Sequence, residues 1–487
     1  MYRKRICMIM LALLVSALVM DLTCQATCAQ VETELVVIAP SPTAILDKMA
    51  AEYKKWMSAK LGVTVKVEIK GGMGTEECLK RLEEEGGKPY EDVWFSGRVP
   101  DYMYADTKGL LQAYKGGKVV DWWKDLPEKV FGVPAKDPEG KWSSFSVTGV
   151  GFLYNRDFMA KYGLPMPVSW KDIGNPVYKG RVGTGDPATS AIVHLVLEAV
   201  LQSHGWEKGW EIWLSIARNT DFAAGASGSA VKCSKGETAI SLNKDSNGFT
   251  EIAKGYNIAW VYPEEGTPLV PLAMGLLKGC RHPEAGKAFV DWVMSGEGMA
   301  LWCNERYENP IRPDVPIPKG VADLKKAKIM PNFDLDLQAI RTASLNLLHT
   351  EKVIGNQKAL EKASDSEISQ FAQDWFVRPM NEAKAAIASA EARIKETRAK
   401  IADPFGPKMT KEGESKMVDA EKGLADAKKS FAEYSFEEAK RKANDAMALA
   451  DRALGASEPS TLPTYIAIGL GIVVIAAIAV YQRRRKR

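Results

Sequence analysis

Residues 179–201, KGRVGTGDPATSAIVHLVLEAVL, read as strand, small-residue loop and helix. Arg181 and Val182 end an extended run, and Gly183-Thr184-Gly185 turns the backbone sharply, since glycine takes positive φ at little cost. Asp186 or Ser190 suits the cap of a helix whose apolar body is Ile192, Val193, Leu195, Val196, Leu197, Val200 and Leu201, with Pro187 tolerated in the first turn. A strand that feeds a helix in this way leaves backbone N–H groups and the positive dipole end facing outward, where an anion is favoured. One glycine-rich turn is weak evidence, so the reading depends on whether the unit recurs.

The unit recurs along the chain. Residues 35–38 (LVVI) make a short strand, followed by Ala39-Pro40-Ser41-Pro42-Thr43 and an amphipathic helix through Ile45, Met49, Tyr53 and Trp56. Residues 63–69 alternate like a strand, and Gly71-Gly72-Met73-Gly74-Thr75 leads into EECLKRLEEE with Thr75 as the expected N-cap. Val93-Trp94-Phe95 is a third strand that stops at Ser96-Gly97. Strands are also expected at 142–154, 237–243, 258–262 and 268–274, and helices at 283–294 and from Gly296. Trp206, Trp210 and Trp213 recur at helical spacing and read as core. This alternation implies an α/β fold with a mainly parallel sheet.

At 487 residues there is room for two or three domains. The net charge is +4, but the basic clusters at residues 3–5 and 483–487 carry eight positive charges, leaving residues 6–482 at −4. A mildly acidic body gives no footprint for nucleic acid. The basic start, the apolar run 6–20 and the small residues near Ala26 and Ala29 read as a signal peptide, residues 1–29. Outside that leader stand Cys78, Cys233, Cys280 and Cys303, an even number that permits disulfides in an exported chain. The four histidines are scattered and no C-x-x-C occurs, so neither a metal site nor a cofactor is expected.

At the other end, residues 464–481 form an uncharged apolar stretch, YIAIGLGIVVIAAIAV at its heart, followed by the basic tail 482–487. About 20 residues make roughly 30 Å of helix, enough to cross a bilayer, and arginines after a span mark the cytoplasmic side. The expectation is a single-pass membrane protein with everything before the span outside the cell. Between 381 and 455 the composition shifts to Ala, Glu and Lys. Ala383, Ile387, Ala390, Ile394, Thr397 and Ile401 step by fours and threes, as do Met417, Ala420, Leu424, Ala427 and Phe431, then Phe436, Ala439, Ala443, Ala446 and Ala450. These heptad seams predict a three-helix stalk or bundle, the third helix opened by a Ser435/Glu438 capping box, with 456–463 a linker.

The order of these signals resembles the extracellular solute-binding proteins of ABC importers, in the group that includes ferric-ion, polyamine, thiamine and phosphonate or sugar-phosphate binders. The matching runs are Glu91-Asp92-Val93-Trp94-Phe95-Ser96-Gly97, Gly151-Phe152-Leu153-Tyr154-Asn155, Val168-Ser169-Trp170-Lys171-Asp172-Ile173, Pro176-Val177-Tyr178-Lys179-Gly180 and Gly185-Asp186-Pro187-Ala188-Thr189-Ser190. Further on come Tyr262-Pro263-Glu264-Glu265-Gly266-Thr267, His282-Pro283-Glu284-Ala285-Gly286 and Ser295-Gly296-Glu297-Gly298. The resemblance covers residues 33 to about 320. It implies a two-lobed, type II periplasmic-binding-protein-like fold over 33–380, with lobe one at 33–145 and 265–380 and lobe two at 146–264.

Ligands of open α/β sheets sit beyond the carboxyl ends of the strands. The residues expected to gather there are Ser41, Thr43, Gly72, Gly74, Thr75, Ser96, Thr184, Asp186, Thr189 and Ser190, joined by Lys244 and Asp245. Ferric members of the family carry a tyrosine pair where this sequence has Lys244-Asp245-Ser246-Asn247, which favours an oxyanion such as phosphate, phosphonate or a sugar phosphate over iron. Asp186 and Asp245 equally suit a solute ammonium, so a polyamine stays open. The expected partners are a small solute, the ABC permease and the membrane. A surface sensor or adhesion receptor without transport is the other binding-class reading, disfavoured by the short tail. An enzyme is not expected, because no G-x-S-x-G and no H-E-x-x-H is present.

Overall fold

The computed structural model describes residues 31–457, apart from 224, 331–332 and 404–406. The expected leader at 1–29 and the expected span and tail at 464–487 lie outside the described residues. Among the described residues no helix is long and apolar enough to cross a membrane. The chain divides into two compact units. The first comprises Met1–Asp172, Gly180–Gly185 and Asp221–Phe333, and the second Ile173–Lys179, Asp186–Thr220 and Asp334–Arg487.

The strands are β1 (Glu34–Ile38), β2 (Lys66–Lys70), β3 (Val93–Arg98), β4 (Leu111–Gln112), β5 (Lys129–Val130), β6 (Val133–Pro134), β7 (Ser143–Asn155), β8 (Val182–Gly183), β9 (Thr220–Asp221), β10 (Ile240–Lys244), β11 (Ile258–Val261), β12 (Leu269–Leu277) and β13 (Asn309–Pro310). The main sheet runs β2-β1-β3-β12-β7-β10-β8-β9. β1 is parallel to β2 and β3, and β8 to β10, as the alternation predicts. The sheet as a whole is mixed rather than mainly parallel, because β12 is antiparallel to β3 and β7, and β7 to β10 and β11.

The reason lies in β7, whose 13 residues are all buried. Its start pairs with β12 up to Gly149↔Leu269, and from Val150↔Lys244 onward it pairs with β10. One strand thus belongs to both halves of the sheet and must run against its neighbours in each. Ring packing fixes it against the first half: Phe145 stacks on Phe95 of β3 at 4.7 Å, and Trp302 meets both edge-on at 5.1 and 5.4 Å. Such pairs add about 0.5–1.5 kcal/mol each beyond their buried area. Cys78, Cys233, Cys280 and Cys303 are free thiols, three of them buried.

The second unit is helical. Helix Ala191–His204 packs beside Trp206–Asn219, and Trp210 of the latter lies flat on Phe376 at 3.6 Å. Helix Leu335–Leu348 is joined to Ala191–His204 through a polar stripe at i, i+4 and i+8, buried at its first two positions, His194 and Glu198. His194 Nδ1 lies 2.9 Å from Asn346, Glu198 is bidentate with Arg341, and Gln202 bonds the backbone of Asp334. The helices Arg378–Ala402, Lys411–Ala432 and Phe436–Gly455 form the expected bundle, with Ala383, Ala390, Ala420, Ala427, Ala439, Ala443, Ala446 and Ala450 fully buried along the seams. At one end Tyr434 and Phe436 pack on Trp206 at 4.9 and 5.4 Å, so the bundle is seated on the rest of its unit. The expected capping box does not form: the Ser435 hydroxyl faces Ser344 at 3.3 Å and Glu438 pairs with Lys442 at 2.9 Å. Those partners satisfy both side chains away from the helix start.

A Cβ on Gly151 in β7 would run into the Val261 carbonyl of β11 and the Trp260 ring at 3.0 Å. Backbone cannot yield as a side chain can, so Gly151→Ala is expected to cost about 1–3 kcal/mol. Thermal denaturation checks this; an unchanged Tm would mean that β11 is free to move away.

Candidate functional site

In the first unit the loops after β1, β2 and β3 meet beyond the carboxyl ends of these strands. The Ser41 and Ser96 hydroxyls are 2.8 Å apart, and Gly72 N–H donates to the Ser41 carbonyl at 2.8 Å. A Cβ on Gly71 would strike Leu46 and the Ser41 carbonyl, so the second loop crosses the first where a side chain would not fit. Thr43 begins the helix Thr43–Leu61 and is exposed beside Gly72. Gly74, not Thr75, holds the cap position of the next helix, and Thr75 is its first residue. The boundary moves by one because Gly74 already has the extended backbone that a cap requires.

Ser96 is unusual. Phe95 pairs with Met274 and Gly97 with Ala273, so Ser96 is the extra residue of a β-bulge, and its φ is +66°. A non-glycine residue in that region stores about 1–3 kcal/mol, and such strain clusters at binding sites. Here it turns a buried hydroxyl onto Ser41.

A second group forms at the end of β10. Lys244 precedes the helix Asp245–Ala253, and its ammonium meets buried Glu308 at 3.2 Å. Glu308 also accepts from Ser146 and from the Trp302 indole, each at 2.7 Å. Burial alone would raise its carboxyl, but Lys244, Arg306 and these hydrogen bonds hold it below the usual range. Burial pushes Lys244 down, against the pull of Glu308.

Asp245 differs. Its Oδ2 accepts from Gly149 N–H and from the Tyr262 hydroxyl, both at 2.8 Å, while Oδ1 is buried with no partner. The next residue repeats this, for the Ser246 hydroxyl is also buried and unpartnered. Burial raises the Asp245 carboxyl to about 7, against the two hydrogen bonds. Two orphaned polar groups side by side at a helix start call for a partner, since such groups in native proteins are normally satisfied.

Thr184 is in the same unit but is used internally: its hydroxyl donates to Leu242 O at 3.0 Å and its N–H to Asp221 O at 3.1 Å. Asp186, Thr189 and Ser190 belong to the second unit. Asp186 closes a turn by accepting from Ala188 N–H at 2.9 Å, and it faces buried His349 Nδ1 at 3.2 Å. Burial would raise it, but His349 and that N–H hold it below the usual range. Thr189 is spent on Asp186 O at 3.3 Å, and Ser190 holds the cap position of Ala191–His204 without a side-chain bond. The sequence reading missed Glu308, Tyr262 and Gly149 as partners of the site, since each reaches it from a distant segment. Ser246 had a local signal, in the run Lys244–Asn247 where the ferric proteins carry tyrosines.

Residues 98–332, which hold the β10 group whole, match the family described as bacterial extracellular solute-binding protein. An uncharacterized protein of Haemophilus influenzae is 29% identical over 235 residues, covering 48% of this chain and 66% of that protein. The phosphoglycerate transport regulatory protein PgtC of Salmonella typhimurium is 26% identical over 250 residues, covering 51% and 58%. The chain therefore matches less than two thirds of the length of either relative. Among solved structures, the periplasmic binding protein AfuA from Actinobacillus pleuropneumoniae with exogenous fructose-6-phosphate bound aligns with TM-score 0.58 and 20% identity, covering 66% of this chain and 99% of that one. The likeness is one of fold: two α/β domains of the periplasmic binding proteins, here followed by a helical region. The matching family and the fold neighbour are binding proteins rather than enzymes.

A carboxyl raised in the folded state adds stability that is full below its unfolded pKa and is lost as pH rises through the folded one. The chain should therefore lose thermal stability relative to Asp245→Asn as pH climbs from about 4 to about 7. Parallel Tm curves across that window would show that Asp245 ionises freely.

Proposed function

We propose that this chain captures a small anionic solute, of the phosphate-ester or phosphonate class, and delivers it to ABC permease subunits. The observation that carries this reading is the pair of unsatisfied buried groups, Asp245 Oδ1 and Ser246 Oγ, at the start of the helix that follows β10. That helix start offers N–H groups to an anion. Asp245, raised to about 7, is half protonated at neutral pH and donates from Oδ1 instead of repelling. Similar proteins support the class: one is a phosphoglycerate transport regulatory protein, and one fold neighbour has fructose-6-phosphate bound. The strained Ser96, with Ser41, Thr43, Gly72, Gly74 and Thr75, supplies hydroxyls and backbone at the other strand ends. The turn Asp186–Ser190 before helix Ala191–His204 is the second candidate seat for the anion.

A polyamine is the competing solute, since an ionised Asp245 suits an ammonium. Iron is disfavoured by Lys244-Asp245-Ser246-Asn247. The sign of the pH dependence separates anion from amine. Above pH 7 a phosphate ester stays dianionic, so its affinity falls with the protonated fraction of Asp245, roughly fivefold from pH 7 to 8. An amine gains affinity over the same range. Calorimetry with fructose-6-phosphate and spermidine reads this directly, and Asp245→Asn should flatten the profile. Ser246→Asp is expected to cost at least about tenfold for the anion. A loss with Ser190→Asp and none with Ser246→Asp would move the seat to the Asp186–Ser190 turn.

We also propose that residues 464–481 hold the protein in the membrane with the binding unit outside, on the strength of the uncharged run and the arginines after it. Protease added to intact cells should then cut within residues 33–460 and spare the tail. Digestion of the tail with the binding unit protected would refute this orientation.

A further inference from the structure

The helical region past residue 332, beyond the part that matches the family, contains a pocket of its own. Its volume is about 380 Å³, and its walls include Leu347, Glu351, Trp375, Pro379, Phe436 and Glu437, all in the second unit. That volume is in the range of small-molecule sites.

The backbone around the pocket is irregular. Two π-helical turns, His349–Val353 and Gln373–Val377, each give residues to the wall, Glu351 from one and Trp375 from the other. π-turns are rare and recur at functional sites. The second has a local cause, because Pro379 lacks an N–H and its ring crowds the Trp375 carbonyl. The first contains no proline and has no such cause. A third irregularity is Tyr434, a wall residue with φ +61°.

The walls combine apolar surface with negative charge. Trp375 is half-buried and held flat against Phe371 at 4.6 Å and 6°, and Leu347 is 59% exposed beside it. Among the wall acids, Asp374 pairs with Arg378 and Glu438 with Lys442. Glu351 and Glu437 are exposed and form no salt bridge among the described residues, although Lys352 lines the wall next to Glu351 and Lys440 is close enough to feel the charge of Glu437. Four wall acids, Glu351, Asp374, Glu437 and Glu438, face a single wall lysine, Lys352, and this acidic excess beside an aromatic face suits a cation with an apolar body, through cation–π and charge attraction together.

We propose that this pocket is a second ligand site, for a small organic cation with an aromatic or apolar body. The inference is independent of the solute assigned to the β10 site. The test is calorimetry on the full chain with tryptamine as probe, and with indole and spermidine as its uncharged and non-aromatic counterparts. Tryptamine should bind with a Kd on the order of 1 mM, and each counterpart at least about tenfold more weakly. Glu351→Gln with Glu437→Gln, an exposed pair whose exchange leaves the packing in place, should weaken tryptamine at least about fivefold and bring it toward indole. Trp375→Ala should abolish it. No tryptamine heat, equal heats for tryptamine and indole, or tryptamine binding that survives the double exchange but is lost in Asp245→Asn would each overturn the proposal.

Discussion

The first unit depends on one strand being shared. β7 passes from β12 to β10 at Gly149 and Val150, where neither neighbour continues the ladder for both of them. The chain fills the gap with side chains: Asp245 Oδ2 takes the Gly149 N–H, and the Thr267 hydroxyl donates to the Val150 carbonyl at 2.6 Å. An unmet buried group there would cost about 1–3 kcal/mol. Gly149 has no Cβ because Thr267 and Tyr262 already occupy that space, each within 2.9 Å. The carboxylate beside the candidate site is thus set first by the needs of the backbone, and its second oxygen is what remains for a solute.

Two buried carboxylates near one another behave differently, and their partners explain why. Glu308 has a lysine and two side-chain donors around it and stays ionised. Asp245 has only neutral donors on one oxygen, and burial outweighs them. Desolvation acts on both; a cation in hydrogen-bond reach decides the sign. The Lys244–Glu308 pair also shows why a lysine at a loop was a poor guide to an anion seat: its charge is already spent within the unit.

Much of the first unit was legible in the sequence. Periodicity located β1, β7 and the helix Pro283–Met294 nearly to the residue and the start of β3, whose end at Arg98 lies three residues past the expected one, because each has a fully or alternately buried face. The alanine seams of the bundle were equally plain. What stayed hidden was the sense of the pairing, since a strand's direction relative to its neighbours leaves no mark on its own residues. The polar stripe His194, Glu198 and Gln202 was hidden too, inside a helix that reads as apolar and whose partners lie more than a hundred residues on. Hydroxyls at Ser41 and Ser96 were found as loop residues, but neither the bulge nor their contact could be, because both arise from β12.

The same topology shapes how the chain comes into being. Arg98 pairs with Leu272 and Val93 with Leu276, so the β12 side of β3 has no occupant while everything between them is being made. At about 5–20 residues per second that interval is roughly ten to thirty seconds. For that time the nascent chain shows an open edge bearing Val93, Trp94 and Phe95, the kind of strand that other chains adopt. The three helices of the bundle close on near neighbours as they emerge. It is around β3, rather than in the bundle, that a chaperone holding the unfinished protein has the most to cover.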